Sequence, residues 1–416
     1  MSFPRWLVGV WVLLATTPVG VAAPPEADTT LISSVRAWHR AGQRGKGMTI
    51  AILDSGWKGW RDALGKVLPA TVHARSFRDD GDLEARESAH GILCAEIVHT
   101  LAPEARLLLA NWEPETPRSF LAAVRWAREQ GAQIISCSMI MPGWSDGEGK
   151  GPVHEELARL LGDEALFIAS AGNTASRHWG GAFDPDRAGL HQWKPGRIDN
   201  ELLPLSSGIS VELVHEEGAI YDLIVVDLLR GEVVGRSRSA GAGSRHAAVR
   251  FEVDESQRYG VRVERVRGTG RFHLTVLGAT LRHATAAGSI PFPGDGAKVL
   301  AVGAVDEHGK RLAFSSCGPV GCSPKPELAA RVPVRVRWRP ELAFGGTSAA
   351  APQAAGMAAL LWATEPRLRA SVVRERLTRA AKGRGKIHDP EIGYGVLHLP
   401  EKKSEKGALD TPGAVR

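Results

Sequence analysis

Along the first half of the chain, apolar residues gather into short unbroken runs separated by stretches in which they recur every three or four positions. Residues 48–53 (MTIAIL), 106–110, 134–138 and 165–170 are such runs, and continuous apolarity over four to six residues predicts strands buried on both faces. Residues 89–101, 119–130 and 153–161 carry the helical period between them. Strand and helix in regular alternation predict an α/β fold, a parallel sheet with helices on both faces in three layers. The pattern resumes at 297–305 (AKVLAVGAV) and closes with an Ala-rich helix, 348–363, and a charged helix, 371–381. A short amphipathic stretch, 31–44, leads into the first strand.

From Asp184 to about Pro291 the period changes to two, in residues 209–214, 221–226, 247–253, 259–263 and 271–277. Turn residues separate these segments at intervals of about ten, the spacing of a β-sandwich. Alternating strands must bury one face against something, so residues 188–283 are read as an inserted all-β sandwich module. It interrupts a discontinuous α/β domain, residues 23–183 and 290–400. The polar tail, 401–416, is expected to be disordered.

A length of 416 residues agrees with one large domain plus an insertion, and 43% hydrophobic with 24% charged residues is ordinary globular composition. The formal charge of +6 arises from scattered arginines without an aromatic-interleaved basic block, so no nucleic-acid partner is expected. One positive charge, the apolar run 6–15 and small residues ending at Ala22 predict a signal peptide over 1–22. The run is too short to span a bilayer, and no span follows it. A secreted or periplasmic location is therefore expected. An oxidising compartment permits disulfides. Cys317 and Cys322 flank the turn-prone Gly318-Pro319-Val320-Gly321 and are read either as a short bridge or as two thiols.

Three segments carry candidate chemistry. AILDSG (51–56) ends a buried strand in Asp54, ESAHG (87–91) opens a helix at His90, and FGGTSAAAP (344–352) sets Ser348 where the Ala-rich helix begins. Taken singly they read as a turn carboxylate, a core histidine and a helix cap. Taken together they supply what acyl transfer needs: a nucleophile at a glycine-freed helix terminus, a base, and a carboxylate to orient the base. ASAGN (169–173) follows a further buried strand and offers the Asn173 amide to a developing oxyanion.

In order, Asp, His, Asn and Ser within DSG, HG, AGN and GTSAAAP, the four strings resemble the subtilisin-like serine peptidases. The resemblance covers about residues 34–183 and 290–399, with FSSCGP (314–319), KPELAA (325–330) and YGVLHL (394–399) as secondary strings. It implies an exported endopeptidase acting on protein or peptide substrates. Ser348 is then the nucleophile, His90 the general base, Asp54 its orienting carboxylate and Asn173 the oxyanion donor. By the same analogy Ser138, Met139, Ile140, Ala169, Ser170 and Ala171 line the first specificity pocket. Cys94, one turn after His90, matches a thiol-bearing branch of the family, and Cys137 is near enough in the pattern to be its disulfide partner. The chemistry requires no cofactor and no metal. Relatives hold structural calcium, but no contiguous oxygen-rich loop marks a site here.

The sequence departs from the family at three points. Ser138-Met139-Ile140 replaces the usual Ser-x-Gly, Arg331 stands where Pro-Gly is usual, and the stretch between signal and lead-in leaves no room for a propeptide. The altered pocket strand and the lack of a propeptide argue for a second reading, a catalytically silent scaffold whose β-insertion binds a protein or glycan, and the intact quartet argues against it. An α/β-hydrolase esterase is excluded, because it requires GxSxG and the order Ser, acid, His.

Overall fold

The computed structural model describes residues 29–239, 245–321, 323–383 and 387–400; the signal run, the tail and Cys322 lie outside these residues. The chain begins with α1 (Thr29–Arg40), β1 (Thr49–Leu53), the single turn α2 (Trp60–Ala63), β2 (His73–Phe77), α3 (His90–Leu101) and β3 (Arg106–Trp112). It continues through α4 (Pro117–Glu129), β4 (Ile134–Cys137), α5 (Pro152–Leu161) and β5 (Leu166–Ser170). Then come β6 (His178–Ala182), β7 (Asn200–Pro204), β8 (Gly208–His215), β9 (Ile220–Asp227) and β10 (Val233–Arg238). They are followed by β11 (His246–Glu252), β12 (Tyr259–Arg267), β13 (Arg271–Leu277) and β14 (Ala279–Leu281). The chain ends with β15 (Val299–Val305), β16 (Leu328–Arg331), the pair β17 (Val334–Arg335) and β18 (Ala343–Phe344), α6 (Thr347–Ala363), α7 (Ala370–Ala380), β19 (Lys382–Gly383) and β20 (Gly395–Val396).

Nine strands form the main sheet in the order β19-β20-β16-β15-β5-β4-β1-β3-β2, parallel throughout except for the β19–β20 edge. Its strands alternate faces as the pleat demands. Ile50 and Ile52 of β1 join the layer made by α3 and α6, while Ala51 and Leu53 join the layer made by α4 and α5. This is the three-layer α/β fold that the alternating runs predict. Helix α6 lies at its centre and is buried on every side, as a helix without a polar face must be.

Strands β6 to β14 form two antiparallel sheets, β10-β9-β12-β7-β14 and β11-β8-β13-β6, enclosing their own apolar core. The edge strand β6 (HWGGA) lies before Asp184, where the change of period becomes visible, because its two glycines hide the alternation. Strand β10 (VVGRSR) is masked in sequence by glycine and exposed arginines, and β7 by its terminal proline. Phe272 is at the centre of this core, fully buried against the rings of Trp179, Phe183, His191 and Tyr221. Phe272→Ala is expected to cost about 3–5 kcal/mol, read as an earlier denaturant midpoint for the sandwich.

Candidate active site

Strands β5, β4 and β1 are neighbours in the sheet, so their carboxyl ends form one ledge, where open α/β sheets place their sites. Asp54 is the first residue beyond β1, fully buried, with its amide bonded to Ala110 O at 3.0 Å. Its Oδ1 accepts the Gly56 N–H at 2.9 Å, leaving Oδ2 to accept from His90 Nδ1 at 2.7 Å. The first turn of α3 reaches this carboxylate only because residue 91 is glycine. A Cβ there would come within 2.9 Å of Asp54, of Gly56 O and of the Trp57 ring. Trp57 closes the far side, donating from Nε1 to Asp54 O at 2.9 Å.

His90 is 3% exposed and meets the Phe344 ring edge-on at 5.6 Å. Burial alone works against its imidazolium. The Asp54 carboxylate and the Cys94 sulfur outweigh that burial and hold His90 well above the ordinary imidazole value. Its Nε2 is buried without a hydrogen-bond partner.

Ser348 is the second residue of α6, whose N-cap is Gly346, so the reading of this serine as a helix cap is excluded. The hydroxyl donates to Ser138 O at 3.5 Å. Ser138 Oγ, at 3.1 Å, and the Cys94 thiol, at 3.5 Å, both donate to Ser348 O and fix the start of α6. Cys94 and Cys137 are free thiols, which corrects the pairing considered from sequence. Each is committed elsewhere, Cys137 to Met139 O. Cys317 donates to Ala286 O, and its suggested partner Cys322 lies outside the described residues.

Asn173 Oδ1 accepts both the Thr347 N–H and the Thr347 hydroxyl, each at 3.0 Å. The amide is thereby oriented, and Nδ2 is turned towards Gly346, where a Cβ would stand 2.9 Å from it. Thr347 also accepts the Gly172 N–H at 3.1 Å and so binds the end of β5 to the start of α6. Sequence reasoning passed over Thr347 although it lies inside the GTSAAAP string; the available signal was a hydroxyl residue immediately before the serine.

Of the pocket candidates, Ala169 and Ser170 end β5, with Ala169 paired to Cys137 of β4, and Ser138 to Ile140 continue β4. Ala171 N donates to Val302 O at 3.0 Å. Met139 folds back, its sulfur 3.8 Å from Ser55 Oγ. Beyond Ile140 the chain is pinned repeatedly: Met141 N to Phe292 O at 2.9 Å, Gly143 N to Glu212 of β8 at 3.0 Å, and Ser145 to Asp295. Asp54, His90 and Cys94 are the one group of three metal-binding side chains with closely spaced donor atoms among the described residues. Asp54 Oδ2 and His90 Nδ1 already satisfy each other, so this group is organised as a hydrogen-bonded dyad.

A halolysin-like extracellular serine protease, Nep, of Natrialba magadii is 36% identical over 111 residues, which span 26% of this chain and 19% of that protein. The solved CspB protease of Clostridium perfringens shares the fold with a TM-score of 0.64 at 16% identity, covering 88% of this chain and 95% of that one. The profile of the subtilase family matches residues 45–195 and 239–395. The match takes in all four motif strings together with the strands and helices that carry them, and the chain belongs to the subtilase family.

Proposed function

We propose that the chain is an exported serine endopeptidase working through Asp54, His90 and Ser348. The observation that carries the reading is the buried 2.7 Å contact between Asp54 Oδ2 and His90 Nδ1. It fixes the Nδ1–H tautomer and leaves Nε2 as the free base. In the reaction Ser348 Oγ turns from Ser138 O towards His90 as substrate enters; such bonds commonly tighten only in the bound complex. His90 Nε2 takes the hydroxyl proton, Oγ bonds to the peptide carbonyl carbon, and the carbonyl oxygen becomes an oxyanion facing Asn173 Nδ2 and the amides at the start of α6. The imidazolium then gives its proton to the departing amine as the C–N bond breaks. Water, deprotonated by His90, releases the acyl group from Ser348 by the same steps in reverse order. None of these steps needs a cofactor.

The substrate is an extended peptide lying along Ser138–Ile140 with its P1 side chain towards Ala169–Ala171. Export is inferred from the signal-like run at 1–22, and no helix among the described residues is long and apolar enough to cross a membrane. A fluorophosphonate probe tests the reading without knowledge of substrate. The wild-type chain is expected to label, with the adduct mapping to Ser348 by mass spectrometry. A folded chain that does not label, or labels elsewhere, removes the peptidase assignment and turns attention to the sandwich as a binding module.

A further inference from the structure

Where the sandwich meets the α/β domain, three side chains absent from the proposed reaction form a continuous line. His178 of β6 bonds through Nδ1 to Thr285 O at 2.8 Å and through Nε2 to His273 Nδ1 of β13 at 3.0 Å. His273 Nε2 meets Glu148 Oε1 at 3.2 Å, and Glu148 Oε2 accepts the Gly321 N–H at 2.8 Å. The rings are 2% and 7% exposed. Glu148 belongs to the segment that continues from Ser138–Ile140, already pinned at residues 141, 143 and 145.

The hydrogens in this line can be counted. A carbonyl only accepts, so His178 Nδ1 carries one hydrogen. The contact between the rings needs a second, and the contact with Glu148 needs a third. Two neutral imidazoles and a carboxylate hold only two between them. The line as built therefore contains one extra proton, which brings its net charge to zero. Burial, with the neighbouring charge of His273, pushes His178 down to about 3 against the opposing pull of the Thr285 carbonyl and the Glu148 carboxylate, so that ring stays neutral. The His273 contact, against the opposing effect of burial and with help from Gly321 and Arg271, holds the Glu148 carboxyl below its usual range. The third hydrogen therefore lies in the contact between His273 Nε2 and Glu148 Oε1. Arg271 on β13 is the further charged side chain that acts on the trio.

We propose that Glu148, His178 and His273 form a three-proton latch through which the sandwich positions the substrate-side segment 141–150. Loss of the third proton on the alkaline side leaves a net negative charge on the line and one contact without a hydrogen. Docking is then complete while the third proton is held and weakens as pH rises through the latch's own transition. Glu148 is a positioning residue, acting through the segment it holds.

Glu148→Gln isolates the proton. Its amide nitrogen donates to a neutral His273 and its oxygen still accepts from Gly321, so every contact survives with nothing left to titrate. In wild type, 15N-histidine spectra are expected to show one ring protonated on both nitrogens at pH 6, losing one proton on the alkaline side. Amide exchange at residues 147–150, corrected for intrinsic rates, is expected to rise about tenfold in step. In Glu148→Gln both rings stay neutral and exchange stays protected throughout. With a fluorogenic peptide, KM of wild type rises over the same interval while kcat does not follow it, and Glu148→Gln removes that rise. This kinetic arm rests on the peptidase reading; the spectra and exchange do not, so a chain without activity still tests the latch. Two neutral rings at pH 6 in wild type, or an unchanged alkaline transition in Glu148→Gln, overturns the proposal.

Discussion

Ser348→Ala is expected to lower kcat by about 10⁶-fold, the scale on which a subtilase triad fails when its serine is lost. The geometry makes this a clean test. Ser348 is half-buried at the second position of a helix rich in alanine, and its hydroxyl makes one long contact, to Ser138 O. Removing one oxygen there leaves no buried donor stranded, so the thermal midpoint is expected to match wild type. Residual turnover about 10³ to 10⁴ above the uncatalysed rate is expected from Asn173 and substrate binding alone. Assays with a fluorogenic peptide beside calorimetry separate the two readouts. A folded variant retaining more than about a hundredth of wild-type kcat would show that Ser348 is not the nucleophile.

Asp54→Asn is expected to cost about 10⁴-fold in kcat. The Gly56 N–H holds one side-chain oxygen, so the asparagine amide nitrogen must face His90 Nδ1. It can only donate there, which forces the ring hydrogen to Nε2 and leaves nothing to accept the Ser348 proton. The pH profile carries a second signature. In wild type His90 must be neutral to act as base, and because Asp54 raises its pKa, kcat/KM is expected to climb through an apparent pKa above ~6.5. The Asp54→Asn profile is expected to shift to lower pH. The stability contributed by this pair follows the same sign: full below ~6.5 and lost as pH rises through the folded-state pKa of His90. An unshifted profile with wild-type kcat would mean that the dyad does not set the base.

The legible parts of the site are those whose chemistry is written in consecutive residues. AILDSG shows both the strand that buries Asp54 and the glycine whose N–H fixes its carboxylate, and GGTSAAAP shows both the loop and the helix that set Ser348. The sheet was legible for the same reason, since strands such as β15, and β1 after Thr49, are apolar runs that need no partner to be recognised. What could not be read is contact across long separations. His178 has no companion at helical spacing and His273 stands in a strand-like segment, yet the two meet across a sheet. Glu148 reaches β13 across more than a hundred residues, and no local pattern encodes that pairing. The thiols show a further limit: Cys94 packs in the layer of α3 and α6 and Cys137 in that of α4 and α5, and only their hydrogen bonds reveal that each is occupied separately.

The chain leaves the main sheet after β5 and returns at β15, and these two strands are hydrogen-bonded neighbours, Ala169 beside Ala301. At the base of the sandwich Leu281 N bonds to Ser176 O at 3.0 Å and Thr285 N to His178 O at 2.8 Å, so the two ends of the excursion are already in contact. For the folding chain this shortens an otherwise costly search. Pairing β5 with β15 directly means closing a loop of more than a hundred residues, whereas a sandwich that has folded first presents them as if joined by a tight turn. The sequence separation between Asn173 and the helix that carries Ser348 is thus bridged by the sandwich, which stands in the sheet where a hairpin would.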